Sequence, residues 1–373
     1  MLQKQKSIVI TFLGNANQDS RVINLIESLS NLNYNVKTIS FDWKSDNFKS
    51  QFGNTIIYKL DKSKMSLKFY FTFFYLLIKD LLKSKAEIYF AEDVYTLPIT
   101  YFFAKYHKAK IFYNSREIYA HLAGLRNKSF VQNIIAKIEN KFIRKVDYVL
   151  VTGEMDKEFL SEKYNIDNIL VLRNLPKYKN EIRKVDLRTK LGIEKDKKIL
   201  LYQGVILEGR GILKLIQIFN KIENAHFIII GDGEFKSKFE NETKKLNLQK
   251  RVHFIGAVNH DELLNYTAFA DLGIALIENI SLSYFYALPN KIFEYIMVGV
   301  PVLCSNLPQM KNIVDKYEVG KYVNPESDDE IVSTINELLK NEKSLNEFKS
   351  NCKTASKELN WESEFEIIRN LLN

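Results

Sequence analysis

The sequence predicts an α/β protein of two domains, each a doubly wound parallel sheet with helices on both faces. Strand-like apolar runs alternate with helical periods along the whole chain. A polar stretch at 176–184 divides these runs into two sets. The chain has 373 residues, enough to bury two cores. We therefore expect domains at 1–176 and 198–357, joined by a linker at 177–197 and facing each other across a cleft that could hold a small ligand.

Thirteen strands are predicted, seven in the first set and six in the second. The first set is 7–13, 35–41, 55–59, 87–90, 110–113, 147–152 and 168–172. The second set is 198–203, 226–230, 252–255, 271–276, 300–304 and 320–323. Helices are expected between them, including 212–219 and one at about 328–356. Because a helical period separates successive strands, both sheets should be parallel.

The end of the chain has the pattern of a short helix. Trp361, Phe365 and Ile368 recur at helical spacing and would form one buried face. We expect a helix within 358–373 that packs back on the first domain.

Composition excludes several classes of protein. Hydrophobic residues make up 46% and charged residues 27% of the chain, which is ordinary for a folded domain and argues against disorder. Cys304 lies in an apolar strand and Cys352 in a polar helix, so we expect no disulfide and a reducing compartment. The apolar run 7–13 is too short for a signal peptide and leads into a polar turn. No uncharged apolar run approaches the ~20 residues of a membrane span.

Positive charge is concentrated in the first half. Residues 1–180 hold 28 Lys+Arg against 17 Asp+Glu, whereas residues 181–373 hold 26 against 28. Within that half, the segment 65–85 combines aromatic residues with lysines, which suits an anionic membrane surface. A solvated basic face or a buried helix face explains these patterns equally well. We expect a cytoplasmic protein, keep the inner face of the cell membrane as a candidate partner, and expect no nucleic-acid partner.

The carboxyl ends of the second set of strands carry candidate binding residues, because doubly wound sheets bind ligands there. The strand 198–203 leads to Gly204 and then to Arg210, which could grip a phosphate through two parallel hydrogen bonds. Glycines that allow close backbone approach follow the next two strands. The candidates at these turns are Gly231, Gly233, Ile255 and Gly256, and Gly14 follows the first strand of the chain in the same way.

The most informative stretch is the loop and helix that begin at Pro289. Proline at a helix start has no N–H, and the amides of Asn290 and Lys291 can then face an anion. Glu294 shares that helix face, and a carboxylate can accept paired hydrogen bonds from the two hydroxyls of a ribose. A glutamate near a helix start can also simply favour the helix dipole. Together with Arg210, the pattern favours a nucleotide site.

These residues resemble the donor site of family 4 glycosyltransferases, retaining enzymes of the GT-B fold that use nucleotide sugars. The pattern is Pro289-x-Lys291-x-x-Glu294-Tyr295 followed by Gly299-x-Pro301-Val302. Similar stretches occur in order over most of the chain: 19–22, 91–98, 172–176, 202–204, 210–211, 231–233 and 252–256. The resemblance implies two Rossmann-like domains facing each other across a cleft.

The resemblance also implies roles for individual residues. Glu294 would bind the ribose, and Arg210 and Lys291 would hold the diphosphate; these three are the expected catalytic residues. The expected donor-binding residues are Gly14, Gly204, Gly231, Gly233, Ile255, Gly256, Tyr286, Leu288, Pro289 and Asn290.

Three positions depart from the family pattern. Tyr286 stands where the first glutamate of the E-x7-E motif would be, and Val205 where many members have a second phosphate-binding arginine. Arg116 replaces the histidine of an Asp-x-His-Glu stretch. The contact to the donor sugar near residue 286 is therefore absent or made differently, and Arg210 lacks an arginine partner.

The chain contains no Asp-x-Asp triplet of the kind that holds Mg²⁺. We expect no metal and no other cofactor, with Arg210, Lys291 and the helix amino terminus neutralising the leaving diphosphate. The expected partners are a nucleotide sugar, most simply UDP-linked, and a saccharide or lipid-linked acceptor.

The first domain is expected to contact the sugar and the acceptor. Asp93, Asn114, Arg116 and Glu117 follow apolar strands there, although Asp93 and Glu117 could equally serve as a helix cap or a first-turn charge. No carboxylate is convincingly placed as a nucleophile, and the resemblance implies same-face attack on the sugar.

The sequence leaves two alternative functions open and disfavours a third. A domain pair that binds a nucleotide sugar without transferring it is one alternative, and a nucleotide-sugar epimerase of the same fold is another. A nicotinamide-dependent oxidoreductase is disfavoured because residues 14–19 do not supply Gly-x-Gly-x-x-Gly.

Overall fold

A computed structural model describes residues 5–42, 54–61 and 67–372. The chain divides into two compact units, one formed by Met1–Asn174 with Glu364–Asn373 and the other by Leu175–Ser363. Residues 65 and 66 of the aromatic segment lie outside the described residues. No helix in the described part of the chain is long and apolar enough to cross a membrane.

The first unit contains a seven-stranded parallel sheet with the order β3-β2-β1-β4-β5-β6-β7. Its elements are β1 (Ser7–Phe12), α1 (Ser20–Asn31), β2 (Asn35–Asp42), β3 (Thr55–Lys59), α2 (Leu67–Leu81), β4 (Ile88–Ala91), α3 (Leu97–Tyr106), β5 (Lys110–Ser115), α4 (Ser129–Ile143), β6 (Tyr148–Val151), α5 (Glu154–Tyr164) and β7 (Ile169–Val171).

The second unit contains a six-stranded parallel sheet with the order β10-β9-β8-β11-β12-β13. Its elements are α6 (Leu187–Leu191), β8 (Lys198–Gln203), α7 (Ile212–Ile218), β9 (Ala225–Ile230), α8 (Lys236–Lys245), β10 (Val252–Gly256), α9 (His260–Thr267), β11 (Leu272–Ala275), α10 (Leu282–Phe285), α11 (Asn290–Met297), β12 (Val302–Ser305), α12 (Pro308–Tyr317), β13 (Gly320–Val323), α13 (Asp328–Lys340) and α14 (Glu342–Ala355). The final helix is α15 (Trp361–Arg369).

The fold class is confirmed, and all thirteen predicted strands are present. One helix prediction was wrong: the helix expected at about 328–356 is two helices, α13 and α14. Asn341 separates them because its side chain accepts a hydrogen bond from the Ser344 amide and caps α14. Asparagine commonly competes with a continuous helix in this way.

Each sheet has one point where the chain reverses its direction of travel across the strands. In the first unit this point lies between β1 and β4, and in the second between β8 and β11. Connections leave toward opposite sides there, and the carboxyl ends of the strands are the usual ligand site. The second sheet is covered on both faces at this point, because Leu200 packs in one core cluster and Leu201 in the other.

The last helix, α15, is divided between the two units: Ser363 ends the second unit, and Glu364 begins the closing part of the first. Trp361, Phe365 and Ile368 are buried, as their spacing predicted. Within the first unit, Arg173 Nη2 lies 2.7 Å from Glu364 Oε2, an ion pair whose carboxylate is almost fully buried. The range 177–197, expected as a linker, belongs to the second unit, where α6 buries Leu187.

A histidine pair at the amino ends of β9 and β10 predicts acid sensitivity. His226 Nδ1 and His253 Nε2 are 3.0 Å apart, and the rings stack. Burial lowers the pKa of both, for His253 to about 4, where the charge of His226 adds to the effect. An unfolded histidine titrates near pH 6.5, so the stabilisation from the neutral pair is complete above about 6.5 and is lost as the pH falls toward about 4.

We expect the free energy of unfolding to fall by on the order of 2 kcal/mol over that pH range. His253→Gln should flatten the decline in urea denaturation followed at a series of pH values. An equal pH slope in the wild type and His253→Gln would show that the pair does not cause the sensitivity.

Candidate functional site

The carboxyl ends of β8, β9 and β10 form three glycine turns that are bonded to one another. The Gly204 amide donates to the Ile230 carbonyl, and the Gly231 amide donates to the Gly256 carbonyl, both at 2.9 Å. Gly204 and Gly231 have φ of +124° and +147°, and a Cβ at Gly231 would lie 1.9 Å from the Gly204 carbonyl oxygen. Only glycine fits these conformations without strain, so the sequence leaves the backbone uncovered by side chains at these two positions.

Gly233 and Ile255 belong to the same turns. A Cβ at Gly233 would lie 2.2 Å from the Ile206 carbonyl oxygen, so this backbone is also closely packed. Ile255 is half-buried directly before Gly256. Four glycines and one apolar side chain predicted at this edge are thus brought together.

Lys291 lies in the first turn of α11 and is only 7% exposed. Its Nζ is 3.5 Å from the centroid of the Tyr202 ring. It forms no salt bridge with any described residue. Burial, reinforced by the charge of Arg210, lowers the pKa of Lys291 well below its usual range, although Glu294 partly opposes this. A buried ammonium without a counter-anion is costly, and a bound anion would offset that cost.

Arg210 supplies a second positive charge. Its guanidinium lies 4.7 Å from the centroid of the Tyr284 ring, and it is half-buried. Within the described ranges it has no salt-bridge partner either. Two neighbouring cations held on aromatic rings, with no carboxylate paired to them, form a site for an anionic group.

The amino terminus of α11 points backbone donors at the same place. Pro289 is the cap residue, with φ −75° and ψ 139°, and the helix begins at Asn290 rather than at Pro289. Among the described residues, the amides of Asn290 and Lys291 have no hydrogen-bond acceptor. Helix amino termini of this kind bind anions.

Glu294 is held by a chain of side chains from β8 and α9. Gln203 Nε2 donates to Glu294 Oε2, and Gln203 Oε1 accepts from the Thr267 hydroxyl at 2.7 Å. Burial raises the pKa of Glu294, while the Gln203 hydrogen bond, His260 and Lys291 lower it. The carboxylate is half-buried and retains lone pairs for further donors.

The part of the chain that carries this site matches a known protein family. Residues 184–355 match the family described as Glycosyl transferases group 1. Those residues form a glycosyl transferases group 1 domain. The resemblance to glycosyltransferases deduced from the sequence is confirmed at this level.

A curated relative of this chain is alpha-monoglucosyldiacylglycerol synthase of Streptococcus pneumoniae, which is 24% identical over 193 residues, 48% of this chain and 42% of the relative. Alignments with the curated relatives span between 32% and 54% of each relative's length.

Solved structures resemble the whole chain. Sucrose-phosphate synthase from Thermosynechococcus elongatus superposes with a TM-score of 0.81 at 15% identity, covering 99% of both chains. HepE of Anabaena, in complex with UDP and glucose, gives a TM-score of 0.74 at 14% identity and also covers 99% of both chains. These likenesses confirm the GT-B fold.

Within the group 1 domain, Tyr286 and Leu288 precede α11 and are half-buried. The Tyr286 carbonyl accepts a hydrogen bond from the Gln309 side chain. Val205, at the position of the missing arginine, is 59% exposed. Each of these two departures from the family pattern therefore lies shortly before one of the cations in sequence, Val205 before Arg210 and Tyr286 before Lys291.

Sequence reasoning missed Tyr202, Gln203, Thr267, Tyr284 and His260. Gln203 had a signal, since it is the polar last residue of an otherwise apolar strand at the edge where ligands bind. Thr267 and His260 lie on α9, and nothing in the local sequence connects that helix to Glu294.

The residues predicted on the acceptor side, and Gly14, all lie in the first unit. Arg116 is paired with two carboxylates: its Nη1 and Nη2 lie 2.6 Å from Asp19 Oδ2 and Glu92 Oε2, and the guanidinium lies 4.5 Å above the Phe12 ring. Burial alone would lower the pKa of Arg116, but Asp19 and Glu92 raise it above its ordinary value. Gly14 is buried beside the same Phe12 ring.

Asn114 belongs to the same cluster, since its amide donates to Glu92 Oε2 at 2.9 Å. Arg21 is buried beside it and donates to the Leu172 carbonyl. Several buried polar atoms of these residues have no hydrogen-bond partner among the described residues: Arg21 Nε and Nη1, Glu92 Oε1, Asn114 Oδ1 and Arg116 Nε.

Asp93 holds the turn that precedes α3, although the residue at the cap position is Thr96. One carboxylate oxygen accepts from the Leu13 amide at 2.6 Å, and the other from the amides of Tyr95 and Thr96, just before α3. Burial still raises the pKa of Asp93, partly opposed by these hydrogen bonds. Glu117 is exposed after β5. The contacts of Asp93 favour the structural role.

Replacing Arg116 with methionine is expected to lower the free energy of unfolding of the first unit by about 3 kcal/mol or more. The Glu92 carboxylate, 0% exposed, would lose a charged donor and remain buried. Urea denaturation of the full chain measures the change, with Arg144→Met at an exposed site as the control. Equal midpoints for both variants would contradict this prediction.

No three His, Cys, Asp or Glu side chains come together as metal ligands among residues 5–42, 54–61 and 67–372. The absence of a metal requirement stays a prediction.

Proposed function

We propose that this protein is a retaining glycosyltransferase that moves a sugar from a nucleoside-diphosphate sugar, UDP-linked, to a saccharide or lipid-linked acceptor without a metal. One observation carries the proposal. The buried Lys291 ammonium forms no salt bridge with any described residue, and it lies beside Arg210 at the amino terminus of α11, one turn before Glu294.

The reaction needs this arrangement because negative charge develops on the leaving diphosphate as the glycosidic bond breaks. Lys291, Arg210 and the first amides of α11 are positive groups already in place, so little reorganisation is required. Glu294, oriented by Gln203, would accept hydrogen bonds from the ribose hydroxyls.

The base would lie along the backbone of Ile255 and Gly256. Their position at the carboxyl end of β10, bonded to the turn at Gly231, supports this assignment. The complex of HepE with UDP and glucose supports a UDP-linked donor. The lipid-linked alternative for the acceptor is supported by the name of the S. pneumoniae relative, a synthase of a glycosyl diacylglycerol.

We assign retention to same-face attack. The acceptor oxygen forms a bond to the anomeric carbon, the bond from that carbon to the diphosphate breaks, and the acceptor proton passes to a leaving phosphate oxygen. Two carboxylates that follow β4 are already held by other groups: Asp93 accepts from three backbone amides, and Glu92 Oε2 accepts from Asn114 and Arg116. This supports a mechanism without a covalent sugar–enzyme intermediate.

A nucleotide panel tests the proposal. UDP should raise the melting temperature of the full chain more than ADP or GDP, by an amount that grows with concentration. Sugar transfer from the UDP-sugar that stabilises most should proceed in EDTA, with the anomeric configuration kept in the product. If no nucleoside diphosphate stabilises the protein, the donor site is refuted.

The same assay separates the alternatives. Binding without transfer or hydrolysis for any acceptor tried would indicate a binding protein that has lost catalysis. Conversion of the UDP-sugar into an isomer that remains attached to UDP would indicate an epimerase.

A further inference from the structure

Helix α2 is apolar on its outer face as well as its inner face. Phe73 and Leu77 are fully buried against the sheet. On the opposite side, Phe71 is 71% exposed, Tyr75 65% and Leu82, just after the helix, 70%. A surface helix of a soluble domain normally presents polar residues there, so this stripe is not explained by packing within the unit.

The neighbouring helices extend the same surface. Helix α3 packs against both α2 and α4. It exposes Phe102 and Tyr106, and α4 exposes Phe130. Nine of the twelve large hydrophobic side chains that are exposed among the described residues lie on or next to these three helices. Such clustering marks an interaction surface rather than scattered surface residues.

The charges on this surface are all of one sign. The exposed charged residues of α2, α3 and α4 are Lys68, Lys79, Lys105, Lys137 and Lys141. The two acids of these helices are buried: Asp80 accepts from the Tyr58 hydroxyl, and Glu139 accepts from Tyr113 and Tyr164. The sequence therefore directs every carboxylate inward and every ammonium outward.

We propose that the outer face of α2, α3 and α4 lies on an anionic lipid bilayer, with the aromatic side chains at headgroup depth and the lysines on lipid phosphates. A bilayer offers both apolar depth and uniform negative charge, which matches this combination. A second copy docking through the same face would set lysines against lysines. The inference stands independently of sugar transfer, because it requires neither nucleotide nor catalysis.

Flotation of the full chain with vesicles tests the inference. The protein should float with phosphatidylcholine vesicles containing phosphatidylglycerol and remain at the bottom with phosphatidylcholine alone. Phe71→Ser with Tyr75→Ser should weaken vesicle binding roughly 100-fold, and Lys68→Ala with Lys79→Ala roughly 30-fold. Ile367→Ser, at an exposed apolar residue of α15, should bind like the wild type.

Three results would overturn the inference: no flotation with either vesicle, equal binding by the wild type and both double variants, or a dimer in solution that the Phe71 and Tyr75 changes dissociate. Because the substituted side chains are exposed, melting curves should match the wild type. If Phe71→Ser with Tyr75→Ser does not fold, the inference is still tested by the double lysine variant and by the salt dependence of wild-type flotation. UDP stabilisation is measured without vesicles, so failure of one experiment leaves the other informative.

Discussion

Replacing Lys291 with methionine is expected to lower the affinity for UDP by about 100-fold or more while raising the stability of the free protein. The affinity falls because the diphosphate loses a buried charged donor. Stability rises because methionine fills the site on the Tyr202 ring without a desolvated charge. A substitution that removes activity and stabilises the fold is typical of a functional site rather than of a structural one.

The stability gain should depend on pH. The pKa of Lys291 is lowered in the folded chain, chiefly by burial and then by Arg210. The penalty is absent above the unfolded value of about 10.4 and grows as the pH falls toward the folded value. The difference in free energy of unfolding between Lys291→Met and the wild type should therefore be larger at pH 7 than near pH 10.

Calorimetry provides a second readout. A bound diphosphate should restore the proton of Lys291, so UDP binding at mildly alkaline pH should take up protons, measured as a difference between buffers of unlike ionisation enthalpy. Lys291→Met should abolish the uptake. Lys311→Met, at an exposed lysine of the same unit, should leave binding and proton uptake unchanged. Unaltered UDP affinity in Lys291→Met would remove the basis of the proposed function.

Glu294→Gln is expected to weaken UDP binding by roughly 10- to 100-fold, with little change in the affinity for 2′,3′-dideoxy-UDP. The Glu294 carboxylate would accept hydrogen bonds from both ribose hydroxyls. A glutamine amide at this position has only one acceptor oxygen, and it would also face the Gln203 amide, so it would accept fewer hydrogen bonds from the ribose. The wild type should thus discriminate between the two ligands, and the variant should not.

Titration calorimetry with both nucleotides measures this effect. Glu337→Gln, at an exposed position of α13, is the matched control. If Glu294→Gln loses equal affinity for the two ligands, Glu294 does not contact the ribose, and its role is to position α11.

Much of the site was predictable because its signals are local. Gly204 directly follows β8 and Gly231 directly follows β9. Both have a positive φ, which glycine adopts readily. Lys291 and Glu294 lie on one helix, where spacing alone places them on one face. Arg210 lies at the same edge because it is in the turn that follows β8. The alternation of strands and helices predicted that strand.

The features that the sequence left open or did not reveal depend on contacts between residues that are far apart in the chain. Asp93 could be a cap or a catalytic group until the Leu13 amide, 80 residues away, was found to donate to it. Arg116 carried no local sign of its partners Asp19 and Glu92. The break at Asn341 shows the opposite case, in which one side-chain hydrogen bond overrides a continuous helical pattern.

The amino-acid sequence by itself determined the two doubly wound units and the strand ends where a ligand could bind, because hydrophobic periodicity and glycine placement act over a few residues. Only the tertiary structure decided that Lys291 is a buried ammonium with no salt bridge to a described residue and that the outer faces of α2, α3 and α4 form one lysine-bearing apolar surface. Burial and electrostatic pairing depend on which elements become neighbours in space, and no local pattern records that.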